Sequence, residues 1–238
     1  MSITGQKIVI VGGTSGIGLA VAELAVARGA SAVVVGREAE KAARIAAQLG
    51  SRSVGVGCDI TNPEAVTALA YAVGDLDHLV LSAAALTYGP FLQMPVQEAR
   101  SVMDSKFWGY YLTVRALAPR LSQRGSVTLF SGIAAARPAA GTSIVAAANA
   151  AIEGLTRSLA IELAPRRVNA ISPGVVDTPS WGHLSEQDRT DMFQQLAQSL
   201  PVGRIGRSAD IAETVLELAA NGFTTGEVRT VDGGARLV

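Results

Sequence analysis

Residues 11–18 read Val-Gly-Gly-Thr-Ser-Gly-Ile-Gly. They follow the apolar run 7–11 directly and open an alanine- and leucine-rich stretch at 16–28. Gly12, Gly16 and Gly18 have the spacing G-x-x-x-G-x-G. Glycine permits a tight turn there and lets the backbone from Gly12 through Thr14, Ser15 and Ile17 approach a pyrophosphate, which then rests on a helix N-terminus. A glycine-rich turn alone is a weak signal. Placed between a strand and a helix near the N-terminus, it is a strong one.

On either side of this turn, short apolar runs alternate with longer alanine-rich stretches. Strand-like runs fall at 7–11, 32–35, 54–57, 78–81, 126–130, 168–171 and 228–231, and helix-like stretches at 16–28, 38–49, 63–73, 98–121, 142–163 and 209–220. This alternation predicts one α/β domain over residues 1–238. It is a single-domain Rossmann fold: a doubly wound, seven-stranded parallel sheet with right-handed crossovers and helices on both faces. Asn62 before Pro63 reads as an N-cap and first helical residue. Gly50 is expected to end the second helix in a left-handed conformation, and Ser208 to cap the last helix. Residues 178–200 are the least regular part, with Trp181 and His183 followed by a polar helix that Ser185 can cap. Their place after the sixth strand predicts a lid over a pocket at the carboxyl ends of the strands.

The composition agrees with one such core. The chain has 238 residues, 49% hydrophobic but only 5% aromatic, so the interior is aliphatic, as in a sheet covered on both faces. Lys+Arg and Asp+Glu are balanced at 20 each, so no basic excess points to nucleic acid or to an anionic membrane. The single cysteine, Cys58, excludes an internal disulfide and fits a reducing compartment. No leader of charged and apolar regions precedes the first strand, and no apolar run reaches the roughly 18 residues that span a bilayer. The expectation is a soluble, cytoplasmic protein. No cluster of residues has metal-ligand spacing.

The second strand ends in Val35-Gly36-Arg37. A cofactor without a 2′-phosphate would favour an acidic side chain there, to accept bonds from the ribose hydroxyls. Gly36 offers none, whereas Arg37 can hold a 2′-phosphate through charge-assisted bonds, with Thr14 and Ser15 adding hydroxyl donors. NADP(H) is therefore expected over NAD(H).

Together these features resemble the short-chain dehydrogenase/reductase family, over nearly the whole chain. Cys58-Asp59-Ile60 is similar to that family's acidic position after the third strand, which implies Asp59 at the adenine amino group with Ile60 beside it. Ser82-Ala83-Ala84-Ala85 stands where the family has Asn-Asn-Ala-Gly, and its small residues imply close approach of the adenosine ribose to Ser82, Ala83 and Ala84. Pro173-Gly174-Val175-Val176-Asp177-Thr178 resembles the P-G-x-x-x-T segment, which implies Pro173, Gly174, Val176 and Thr178 beside the nicotinamide. Val231-Asp232-Gly233-Gly234 resembles the family's C-terminal ending. The family also commonly pairs two helices in four-helix interfaces. Stretches 98–121 and 142–163 are apolar around their circumference, so a homodimer or homotetramer is expected.

The catalytic positions depart from the pattern. In the family a tyrosine exchanges the proton, a lysine lowers its pKa and holds the ribose, a serine binds the substrate oxygen, and an asparagine on the preceding helix supports a water chain. Counting back from Ala150-Ala151-Ile152-Glu153-Gly154-Leu155-Thr156, the resemblance puts Asn149 at the lysine, Val145 at the tyrosine and Gly132 at the serine, with Ser131 next to it. Lys106 stands at the asparagine. Valine has no proton to give, while the Asn149 amide can still bond ribose hydroxyls. Lys106 is the candidate compensation: its ammonium can enter the space of the missing lysine. Ser131 and Ser143 are within reach of the pocket. Tyr110, four residues from Lys106, is expected to be a packing aromatic. Trp108, Trp181, Tyr88 and His183 are possible pocket-lining residues, and His78 is expected to have no chemistry.

Three functions fit this pattern. One is an NADP(H)-dependent oxidoreductase with an altered proton path, since hydride transfer needs only a nicotinamide held against an electrophilic carbon. Another is a non-redox lyase, isomerase or cyclase using the old pocket. The third is a non-catalytic NADP(H) sensor or partner subunit. The retained nucleotide loop argues against the second. No substrate is legible.

Overall fold

The computed structural model describes residues 2–182 and 184–238; the pocket expectation for His183 lies outside the described residues. Seven strands form one parallel sheet in the order β3-β2-β1-β4-β5-β6-β9. They are β1 (Lys7–Val11), β2 (Ser31–Gly36), β3 (Val54–Gly57), β4 (Leu76–Leu81), β5 (Leu121–Phe130), β6 (Arg167–Pro173) and β9 (Val228–Val231). The order reverses between β1 and β4, which opens a crevice at the carboxyl ends where the first glycine turn lies. A two-stranded parallel ribbon, β7 (Val176–Asp177) with β8 (Gly206–Arg207), sits beside the sheet.

Helices α1 (Gly16–Ala27), α2 (Ala39–Leu49) and α8 (Ser208–Ala220) cover one face. The other carries α3 (Pro63–Val73), α4 (Val96–Met103), α5 (Gly109–Leu117) and α6 (Ser143–Glu162). Strands β1, β2 and β4 are buried nearly end to end, as expected where helices lie on both sides. Helix α7 (Glu186–Ser199) lies within the irregular segment after β7.

Local signals explain most boundaries. The Asn62 side chain accepts from Ala65 N at 3.0 Å with Pro63 following, a cap worth about 1 kcal/mol. Ser185 Oγ accepts from Asp188 N at 3.1 Å at the start of α7. Gly50 does end α2 at positive φ (113°), but its ψ of 173° is extended rather than left-handed helical. Ser208 does not cap α8. It is the first helical residue, and the Asp210 carboxylate accepts from Arg207 N at 2.7 Å instead, a role that suits a negative charge in a first turn.

The expected helix 98–121 is three pieces. A π turn at Asp104–Trp108 separates α4 from α5, and Pro119 turns the chain through Ala118–Arg120 into β5, which starts at Leu121. Proline has no N–H to continue the ladder, so α5 stops there. Helix α6, 20 residues with a mean hydropathy of 1.3, is long and apolar enough by length and composition alone to cross a membrane, although Asn149, Glu153, Arg157 and Glu162 interrupt it so that it is no continuous apolar run. Its alanines raise the average while it packs on β5 and β6 and carries Asn149, Glu153 and Thr156.

The amino ends of the strands hold a polar layer. His78 is buried, with Nδ1 2.8 Å from Ser126 Oγ and Nε2 2.9 Å from Gln6 Oε1, so its role is structural. Arg167 donates to the Leu218 and Ala219 carbonyls at 2.6 and 2.7 Å, satisfying the C-terminal end of α8. Burial, reinforced by the Arg167 charge, lowers the His78 pKa from 6.5 to about 4. The unfolded chain therefore takes up a proton that the folded one refuses as pH falls from 6.5 toward 4, and stability drops over that window. Measured by urea unfolding, wild type should lose roughly 3 kcal/mol relative to His78→Gln between pH 6.5 and 4; a pH-independent difference would refute this assignment.

Candidate functional site

The glycine turn closes because side chains are absent at Gly12 and Gly18. A Cβ on Gly18 would lie 2.2 Å from the Gly12 carbonyl oxygen, and one on Gly12 would lie 2.6 Å from Ala83 N. Gly12 also has φ +88°, where other residues are strained. Ser82 Oγ donates to the Val11 carbonyl at 3.0 Å, so its hydroxyl braces the ends of β1 and β4. Ser15 precedes α1 without a side-chain cap, so among the described residues the first-turn N–H groups are left to the turn's open side. A diphosphate fits this cradle. Thr178 reaches over it: a Cβ on Gly16 would lie 3.4 Å from Thr178 Cβ, and Pro179 is next to that contact.

At the ends of β2 and β3, Asp59 Oδ1 accepts from Thr61 N at 2.9 Å and Thr61 Oγ1 at 2.8 Å. These bonds, with a smaller contribution from the nearby Arg37 charge, hold its carboxyl below the ordinary range. Arg37 is exposed and Ile60 is buried; a Cβ on Gly109 would lie 2.8 Å from Ile60, so glycine lets α5 close on this edge. Ala83 and Ala84 are not fully buried, and Ser105 Oγ ties the following Ala85 to the π turn, with bonds to its N and O at 3.2 and 3.0 Å. Pro173-Gly174 leaves β6 against Asp232, whose Cα would lie 2.8 Å from a Gly174 Cβ, and Val176 is buried in β7.

The π turn, the end of β5 and one face of α6 meet around Gly132. Lys106 is buried and its Nζ donates to the Ser131 carbonyl at 3.0 Å. Burial lowers its ammonium pKa to about 8. Asn149 Nδ2 donates to the Gly132 carbonyl at 3.3 Å. A Cβ on Gly132 would lie 2.8 Å from that same Nδ2, so the absent side chain at 132 and the amide at 149 share one volume. Among the described residues Asn149 Oδ1 is buried without a partner, an acceptor left for a hydroxyl such as a ribose offers. Val145 is 2% exposed and packs with Val102 and Ala148, against Met103, Ala134 and Ile144.

The other candidates make contacts of their own. Ser131 Oγ donates to Glu153 Oε1 at 2.8 Å, so the hydroxyl placed within reach of the pocket is bonded to α6. Glu153 was not foreseen, although a carboxylate one turn after Asn149 on an apolar helix is a visible signal. Ser143 is exposed at the start of α6. Trp108 is half exposed and meets Phe107 and Tyr111 edge-on, on the surface rather than in a pocket. Tyr110 is a core residue, as expected, with its hydroxyl unpartnered among the described residues. Trp181 Nε1 donates to the Val176 carbonyl at 3.0 Å and its ring meets Phe193 of α7. Tyr88 is exposed beside Gly89, whose N–H donates to Gly141.

The family model described as enoyl-(acyl carrier protein) reductase matches residues 11–236. Short-chain reductase protein NovJ of Streptomyces niveus is 39% identical over 94% of this chain and 92% of its own. Short-chain dehydrogenase/reductase ATR9 of Stachybotrys chlorohalonatus is 34% identical over 99% of both. A small-chain dehydrogenase whose crystal structure holds NADPH is 37% identical and superposes with a TM-score of 0.84, over 98% of this chain and all of that one. With the sheet order, the glycine cradle and these relatives in agreement, the chain belongs to the short-chain dehydrogenase/reductase family of oxidoreductases.

Proposed function

We propose that this protein is an NADP(H)-binding oxidoreductase whose proton path differs from its family's, because Val145, Asn149 and Gly132 stand at the tyrosine, lysine and serine positions. The observation that carries this reading is the buried Lys106 ammonium on the Ser131 carbonyl, beside Gly132 and Asn149. Gly12, Gly16 and Gly18 cradle the diphosphate, Arg37 holds the 2′-phosphate, and Asn149 Oδ1 accepts from a ribose hydroxyl. The NADPH bound by a 37% identical relative supports the cofactor assignment. When bound, NADP(H) supplies or accepts the hydride. Lys106 Nζ holds the proton, and its depressed pKa keeps that proton exchangeable near neutrality. Residues 178–200 act as the lid, with Trp181 and Phe193 joining its two halves.

The closed packing of Val145 favours a second reading, a non-catalytic NADP(H) sensor or partner subunit. Turnover separates the two. Under the first reading the protein should reduce simple ketones slowly, short by about 10²–10⁴-fold of a tyrosine-assisted rate. The residual rate, followed at the NADPH absorbance over aldehydes, ketones and enones, should fall as pH rises through about 8, and Lys106→Ala should lower it more than it lowers NADPH affinity. Tight NADPH binding with no turnover at any pH would establish the second reading.

Calorimetry should find NADPH bound about tenfold to a hundredfold more tightly than NADH, with the preference lost in Arg37→Ala. Equal affinities in wild type would sink the cofactor assignment.

A homodimer or homotetramer is proposed through α5 and α6. A groove of about 400 Å³ runs between them, lined by Tyr111, Val114, Leu159 and Leu163. Ile161 is 80% exposed nearby, an apolar surface that suits a second copy. Light scattering at micromolar concentration should give a multiple of 24.5 kDa, and Ile161→Glu should shift it toward the monomer.

A further inference from the structure

The end of β2 carries a constraint that the NADP(H) reading does not use. Gly36 has no side chain, and Thr14 of the glycine turn occupies the volume where one would be. A Cβ on Gly36 would lie 2.6 Å from Thr14 Cγ2 and 3.2 Å from Thr14 Oγ1. Both branches of Thr14 therefore face Gly36. A rotamer that empties the nearer place still leaves a heavy atom at the farther one, and threonine is stiff about χ1. An aspartate at 36 would also need room beyond its Cβ for the carboxylate. That residue is what would accept both hydroxyls of an unphosphorylated ribose. Gly36 is thus fixed by its neighbour across the turn rather than by its own backbone, for it lies in β2 and is not among the glycines at positive φ.

We propose that Thr14 is a cofactor-specificity residue that acts by exclusion: it fills the space an acidic side chain at 36 requires, so the ribose end can be read only by Arg37 as a phosphate. This rests on the NADP(H) reading and names the second residue on which that preference depends. Arg37 attracts the phosphate, and its charge also lies close enough to Asp59 to act on it, which marks the same edge of the site. Thr14 removes the alternative. A specificity built this way combines an attractive element with a steric one: losing Arg37 removes the preference for the phosphate, while a gain for NADH through an acid at 36 also requires Thr14 to give way.

The test is a double-mutant cycle on the full chain, read as the NADH dissociation constant by calorimetry. Gly36→Asp alone should gain nothing for NADH, because the clash with Thr14 displaces the acid or the turn. Thr14→Ala/Gly36→Asp should bind NADH about tenfold or more tightly than Gly36→Asp, the worth of a charge-assisted bond. A gain in Gly36→Asp equal to that of the double variant overturns the proposal, as does a double variant without a gain. The clash is also read without any cofactor. Gly36→Ala should lower the urea midpoint in the Thr14 background and lower it less in the Thr14→Ala background; equal losses in both overturn the proposal. The wild-type NADPH-to-NADH ratio is measured alongside. If it is near one, the NADP(H) reading fails by itself, whatever the stability cycle gives.

Discussion

The first turn of α1 touches the end of β1 through backbone alone. Gly18 meets the Gly12 carbonyl where any side chain would overlap it, and Gly12 meets Ala83 across the β1–β4 crevice. This contact sets how close the helix comes to the sheet and where its N-terminus points. Helix α1 then packs along α8, and the order reversal between β1 and β4 leaves the crevice open beside it. The cradle is therefore part of the packing of the core, not a loop added to it. A substitution at Gly18 would damage fold and binding together.

The far wall of the crevice follows a different logic. Around Val145 it is apolar and closely packed, while one turn away it holds an ammonium, a serine bonded to Glu153 and an amide with an acceptor unpartnered among the described residues. Burying a lysine against the Ser131 carbonyl costs stability, seen in the pull of its pKa to about 8. Structural reasons alone would favour an apolar residue at 106. The charge persists in a wall otherwise suited to leucine or methionine, which supports a part for it in the site's chemistry.

Much of the architecture was legible because its signals are local. Valine-rich runs marked the strands, and Asn62-Pro63 marked a helix start that the structure keeps. The boundaries that moved depend on partners distant in sequence or on geometry without a compositional trace. Leu121 joins β5 because Leu76 lies beside it, and the π turn at 104–108 shows no pattern that differs from an α-helix of the same residues. At the site, the glycine turn was legible from its spacing, and it does lie between β1 and α1. The pairing of Gly132 with Asn149 and the turn of Ser131 toward Glu153 were not, since each joins β5 to α6 across a loop. The Thr14–Gly36 contact was hidden for the same reason, though both residues had been singled out separately.

The π turn holds one residue more than an α-helical path between α4 and α5 would need. That surplus residue sets the phase of everything before it. Excising Phe107 or Trp108 would let the two helices run on as one, and each position upstream, Ser105 and Lys106 included, would rotate by about 100°. Ser105 would swing away from Ala85 and Lys106 from the Ser131 carbonyl, with no change in the chemistry of either residue. In this stretch chain length is thus as strict a requirement as residue identity. Lineages that vary freely in side chains here should still preserve the count of residues, and an insertion or deletion would mark a site that has taken up other work.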